Sequence, residues 1–101
     1  MGKKKNIKRI KYGVELISEE RGRQITDLGR TPDYDILNNP CGTLSGGAAF
    51  IITLNPIFFP TNWDQSFIEK WDKKTEKERM IIAGALIAAE IDRIIADENF
   101  R

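Results

Sequence analysis

The sequence predicts an all-α domain: a small helical bundle of two long helices, at about 7–28 and 76–97, with two short ones between. Three observations lead there. Met80–Ile95, MIIAGALIAAEIDRII, is almost wholly apolar or small and built from good helix formers. Ile7, Ile10, Val14, Ile17, Arg21, Gln24 and Leu28 fall at alternating steps of three and four, which is one face of a helix. The one other strongly apolar run, Ala48–Leu54, reads equally as helix or buried strand. It is assigned to a helix because no second strand pattern is available to pair with it.

In the first helix, Ile7, Ile10, Val14 and Ile17 fill the stripe before Arg21 and Gln24 interrupt it. Polar groups at core-facing positions must find partners, because an unpaired buried charge is costly. Gly29 ends the helix. Residues 29–47 hold two prolines and four glycines among Asn, Asp, Ser and Thr, and read as a loop with Asp33 and Asp35 flanking Tyr34. Thr43 or Ser45 is placed to cap a short helix over 45–54, which Asn55-Pro56 stops. The aromatic block 56–72 follows. Trp63, Phe67 and Trp71, four apart, predict a short helix near 62–71 with one aromatic ridge, serving either as core or as a stacking wall for a planar ligand. Thr75 and Glu78 form a T-x-x-E capping box that launches the last helix. On it Ala83, Leu86, Ile87, Glu90 and Ile94 share a face, so Glu90 stands in an apolar stripe and is expected to pair with Arg21.

Composition excludes several chemistries. With no histidine and the single cysteine Cys41, no Ser-His-Asp or Cys-His pair, histidine-ligated zinc site or intrachain disulfide can form. The apolar run at Met80 is too short to span a bilayer, and no signal peptide is legible. A cytoplasmic chain with no membrane partner is therefore expected. The net charge of +1 conceals an asymmetry. Six cations precede the first acid, Glu15, and the remainder carries ten basic against fifteen acidic residues. Residues 1–6 read as a basic flexible arm ahead of a single domain at 7–101, either a solvated tail or an electrostatic approach to phosphate. No aromatics interleave with these lysines, so sequence-specific nucleic-acid reading is not expected.

Two constellations compete as chemistry. Glu15, Glu19, Glu20, Glu90 and Asp92 loosely resemble the magnesium clamp of MazG-type all-α nucleotide pyrophosphohydrolases. The spacing departs from that pattern, since Glu90-Ile-Asp92 is E-x-D where E-x-x-D is required. Arg21, Gln24, Arg23 and Arg30, with Asp35, Trp63 and Glu90, instead suit a pocket for an anionic ligand carrying a planar base.

Glu20, Arg21, Arg23 and Gln24, then Gly29 and Asp35, Trp63, and finally Ala85, Leu86, Ala89, Glu90, Ile91 and Arg93 resemble a recurring pattern. It belongs to a family of small proteins encoded by tailed phages and prophages, E-R-x-R-Q followed by A-L-x-x-A-E-I-x-R. The chain departs from it in having no histidine around Asp33–Asp35 and in its Asn-Pro-Cys insertion, which speaks against a metal in that loop. The resemblance implies phage origin. It supplies no activity of its own. The last helix, the 48–54 run and the aromatic ridge offer more apolar surface than one small core hides, which predicts an oligomer. With the basic and aromatic residues, the missing histidine and the mis-spaced carboxylates, the expectation is a non-catalytic protein that sequesters a small phosphate-bearing nucleotide signal of host defence, with no cofactor and no metal. A pyrophosphohydrolase and a structural or host-protein-blocking factor are the alternatives.

Overall fold

The computed structural model describes residues 9–99, and the basic arm at 1–6, with Ile7, lies outside the described residues. Within them the chain is all-helical: α1 (Gly13–Leu28), α2 (Pro32–Asn38), α3 (Thr43–Thr53), a 3₁₀ turn (Pro56–Phe58), α4 (Phe67–Asp72) and α5 (Glu76–Asn99). No strand is present among the described residues, so the ambiguous run at 48–54 is helix.

Helix α5 is the spine, and α3, α1 and α2 all pack against it. Its start follows from the capping box. The Glu78 amide donates to Thr75 Oγ1 at 3.1 Å, and the Thr75 amide donates to a Glu78 carboxylate oxygen at 2.8 Å. Ala83, Leu86 and Ala89 on α5 meet Leu44, Ala48, Phe50 and Ile51 on α3 in the core. Small residues on the spine bring the helices close. A Cβ at Gly84 would lie 2.5 Å from Ile17 Cδ1, so the absence of a side chain there seats α1. Arg79 on α5 donates from one guanidinium nitrogen to the carbonyls of Ile51 (3.1 Å) and Ile52 (3.2 Å). It thereby satisfies the last turn of α3 with a cation at the negative end of the helix dipole.

Several boundaries differ from the sequence reading. The first helix starts at Gly13 and not at residue 7, and two ion pairs run from the segment before it onto its first two turns. Arg9 pairs with Glu15, and Lys11 with Glu19 at 2.8 Å. These two cations of the basic segment are thus already matched by acids of the same chain. The stretch read as loop contains α2. Thr31 Oγ1 accepts the Tyr34 amide, Pro32 occupies the first turn where its missing N–H costs nothing, and Asp33 and Asp35 favour the positive helix end. Helix α3 begins two residues earlier than expected, after Gly42 in the left-handed region, and neither Thr43 nor Ser45 caps it. Helix α4 starts at Phe67, so Trp63 precedes it and the helical ridge of three aromatics does not form; the Phe67 side chain lies outside the described residues.

The expected inward stripe on α1 is buried only in its polar part. Arg21 and Gln24 are buried as expected, while Val14 is 87% exposed and Ile10, ahead of the helix, is open as well. The outer face of α5 is similarly open, with Ile87 and Ile94 exposed although they share a stripe with buried Ala83 and Leu86.

Candidate functional site

A cleft of about 920 Å³ opens between the C-terminal half of α1, α2, the loop around Trp63, α4 and the first half of α5. Leu44, Ile82 and Leu86 supply an apolar floor, and Tyr34, Trp63 and Trp71 supply aromatic faces. Arg23, Arg30, Lys70 and Lys74 bring cations to the same space, with Glu20, Asp64 and Glu78 among them as acids.

Trp63 is held from two sides. The outer edge of its six-membered ring abuts α3 at Gly47, where an added Cβ would come within 2.1 Å of Cη2. Its indole Nε1 donates to Asn39 Oδ1 at 3.1 Å, and Asn39 Nδ2 in turn donates to Asp35 Oδ1 at 2.8 Å. Beside it Asn62 Nδ2 donates to the Asn38 carbonyl at 2.9 Å, tying the loop to the end of α2. Phe59 meets both Phe50 and Trp63 edge-to-face, at centroid separations of 5.0 and 6.1 Å. At the other wall Lys70 and Lys74 place their ammonium groups 5.6 and 5.9 Å from the Trp71 ring centroid, within cation–π range.

Of the residues singled out from sequence, Arg23, Gln24, Arg30 and Trp63 line the cleft. Arg23 is also paired with Glu20 through two hydrogen bonds of 2.9 and 2.7 Å, which holds the Glu20 carboxyl below the usual range. Gln24 is 1% exposed; its Nε2 donates to Glu20 at 3.2 Å and its Oε1 has no partner among the described residues. Arg21, Asp35 and Glu90 stand behind the lining.

The expected Arg21–Glu90 pair is not formed. Arg21 instead donates twice to Asp92 Oδ2, at 3.1 and 2.9 Å, and once to the Arg30 carbonyl at 3.0 Å. Glu90 is taken by Arg93, one turn along its own helix, at 2.7 and 3.2 Å. A partner at i+3 on the same helix needs no tertiary register. Tyr34, Asn39, Asn62, Lys70 and Lys74 were missed as site residues, and Trp71 was read only as part of a ridge that was either core or stacking wall. The signal that marks the two lysines is K-W-D-K-K at 70–74, where they flank that tryptophan.

Asp35 is fully buried, and burial raises its pKa above the ordinary carboxylate value against the opposing pull of Asn39, Arg21 and Arg30; Glu90 adds to the rise. Above the ordinary pKa and up to the raised one, the folded chain keeps a proton that the unfolded chain has released. Stability therefore falls as pH climbs through that window. Asp35→Asn keeps an acceptor for Asn39 and removes the titration. Thermal melts from pH 4 to 8 are expected to show a flatter profile for Asp35→Asn than for the parent chain. Parallel profiles would place the pH sensitivity elsewhere.

The carboxylates proposed for a magnesium clamp are separately engaged: Glu15 by Arg9, Glu19 by Lys11, Glu20 by Arg23, Glu90 by Arg93 and Asp92 by Arg21. No group of three or more acidic, cysteine or histidine side chains with metal-holding geometry occurs among the described residues. No helix among them is long and apolar enough to cross a membrane. Neither a family model, nor a characterised protein, nor a solved structure matches the chain.

Proposed function

We propose that the chain binds a small phosphate-bearing nucleotide in this cleft and holds it without turnover, as a phage-encoded protein that sequesters a signal of host defence. One observation carries the reading: two indoles and a phenol stand with four cationic side chains around a single apolar-floored cleft of about 920 Å³. A base stacked on an aromatic wall gains about 1–3 kcal/mol, and charge-assisted hydrogen bonds to phosphate add direction as well as energy. The volume falls within the range of small-molecule sites and accommodates a nucleotide. Holding without turnover is supported by the absence of histidine and by the internal pairing of the carboxylates that a metal-dependent hydrolase would need. Phage origin rests on the resemblance of Glu20–Gln24 and Ala85–Arg93 to the phage family pattern.

Titration calorimetry with cyclic dinucleotides, ADP-ribose-type molecules and nucleoside triphosphates tests the reading, with tryptophan fluorescence followed in parallel. The expected result is saturable binding of at least one class, quenching of Trp63 and Trp71, and intact ligand after denaturation. Lys74→Ala and Arg23→Ala are each expected to weaken binding about tenfold, equivalent to about 1.4 kcal/mol, with the melting temperature unchanged. Magnesium-dependent release of pyrophosphate would replace sequestration by hydrolysis. No heat with any nucleotide would overturn the cleft as a nucleotide site and leave a protein-blocking or structural role.

A further inference from the structure

Four buried side-chain polar atoms have no partner among the described residues, and two of them, Gln24 Oε1 and Trp71 Nε1, belong to side chains that line the cleft. A buried donor or acceptor left unmade costs stability, so each such atom calls for an explanation. A group that meets its partner only when a ligand arrives is one. The two atoms are of opposite kinds, since Gln24 offers an acceptor and Trp71 a donor.

The orientation of the Gln24 carboxamide is fixed by its neighbour. Its Nε2 donates to a Glu20 carboxylate oxygen at 3.2 Å, and Arg23 holds the same carboxylate at 2.9 and 2.7 Å. Reversing the amide would set Oε1 against that anion, so the oxygen is the end left over. Gln24 is 1% exposed, and water does not reach the oxygen. The terminal torsion of a glutamine is broad, so a modest turn of the carboxamide presents Oε1 to a group lodged against it in the cleft. Glu20, one turn earlier on α1 and also in the lining, adds a carboxylate with about four acceptor sites, of which Arg23 and Gln24 take three. Acceptors dominate this corner of the cleft.

An exocyclic amino group suits such a corner, because it brings two N–H donors and, conjugated with its ring, offers no acceptor in return. A ring N–H suits it less. In uracil and hypoxanthine that group stands beside a carbonyl oxygen, which Gln24 Oε1 and the Glu20 carboxylate would repel. Taking the cleft as a nucleotide site, on which this rests, we infer that Gln24 selects a base bearing an exocyclic amino group by accepting one of its hydrogens at Oε1. The aromatic walls hold the plane of any base and the cations hold any phosphate, while Gln24 reads the edge. Trp71 Nε1 donates to a ligand acceptor from its own wall.

Titration of the full chain with matched nucleotides tests it. Nucleoside triphosphates and cyclic dinucleotides are each offered with adenine, guanine or hypoxanthine as base. The first two carry an exocyclic amino group, and hypoxanthine does not. The better of the two amino bases is expected to bind at least about tenfold more tightly than hypoxanthine within the same nucleotide class. Gln24→Met keeps the length of the side chain and removes both amide atoms. In that variant the ratio should collapse toward unity, with the affinity for the hypoxanthine nucleotide retained. The melting temperature without ligand should be unchanged or raised, since an unpartnered buried acceptor is gone. A uniform loss for all three bases would make Gln24 structural and overturn the assignment. Equal affinity for all three in the parent chain, or a preference that survives Gln24→Met, would overturn it too and leave the cleft as a nucleotide site. Absence of binding in every class overturns both. The comparison of bases in the parent chain decides the matter even where the variant does not fold.

Discussion

Gly47→Ala is expected to destabilise the chain by about 2–4 kcal/mol and to disable the cleft, although alanine is the better helix former by about 1 kcal/mol. The new methyl group would meet three atoms of the Trp63 ring, at 2.1, 2.6 and 2.8 Å, and a rigid indole cannot yield as the tip of a flexible chain would. Moving the ring breaks the Trp63–Asn39 hydrogen bond and strands Asn39 Oδ1, which is buried with its residue at 7% exposure. An unsatisfied buried acceptor costs about 1–3 kcal/mol, so packing and hydrogen bonding act in the same direction. Gly46→Ala is the matched control. Its Cβ would approach the Phe58 carbonyl oxygen to 3.4 Å, at the edge of ordinary contact, so helix propensity decides and stability should be unchanged or slightly higher. Urea melts of the two variants, with the Trp63 emission maximum as a second readout, check the contrast. Equal stabilities would mean that the indole has a second seat.

That contrast marks what the sequence could disclose. A glycine pair in an apolar helix reads as weakness on propensity scales, and only the position of Trp63 in space reveals which glycine is a seat for a ring. Signals confined to one helix were legible. The capping box at Thr75 and Glu78 and the helix-forming run after it predicted α5 to within two residues of its end. Arg21 and Gln24 were recognisable as buried because they interrupt a stripe, and Gln24 does line the cleft. Two weak local signals were outvoted. The density of turn residues in 29–47 hid the Thr31-Pro32-Asp33 start of α2, and the i, i+4 spacing of Trp63, Phe67 and Trp71 suggested one helix where a turn intervenes. Contacts between helices were not legible. Glu90 and Asp92 are both acids on α5, and their spacing does not say which of them meets α1. Local chemistry resolves it afterwards, because Glu90 has Arg93 one turn away and Asp92 is left for Arg21.

Arg21→Ala is accordingly expected to cost about 2–4 kcal/mol and to abolish ligand binding, whereas Arg23→Ala should affect binding only. Arg21 is 7% exposed and makes three hydrogen bonds, two to Asp92 and one to the Arg30 carbonyl. The figure lies below that for a fully buried pair, because the Asp92 side chain is 42% exposed and water can recover part of its charge. The bond to the Arg30 carbonyl links this pair to the cleft. It fixes the turn after α1, where the Gly29 and Arg30 amides bond back to the Ile25 and Gln24 carbonyls, and so sets where the Arg30 side chain enters the cleft. A double-mutant cycle separates the geometry seen here from the pairing the sequence suggested. Arg21→Ala with Asp92→Ala should show a coupling of about 1–2 kcal/mol, while Arg21→Ala with Glu90→Ala should be close to additive. Glu90→Ala should couple instead to Arg93→Ala, since those two side chains are the more enclosed pair, 11% and 13% exposed. Strong coupling of Arg21 to Glu90, with none to Asp92, would reverse the assignment of partners between α1 and α5.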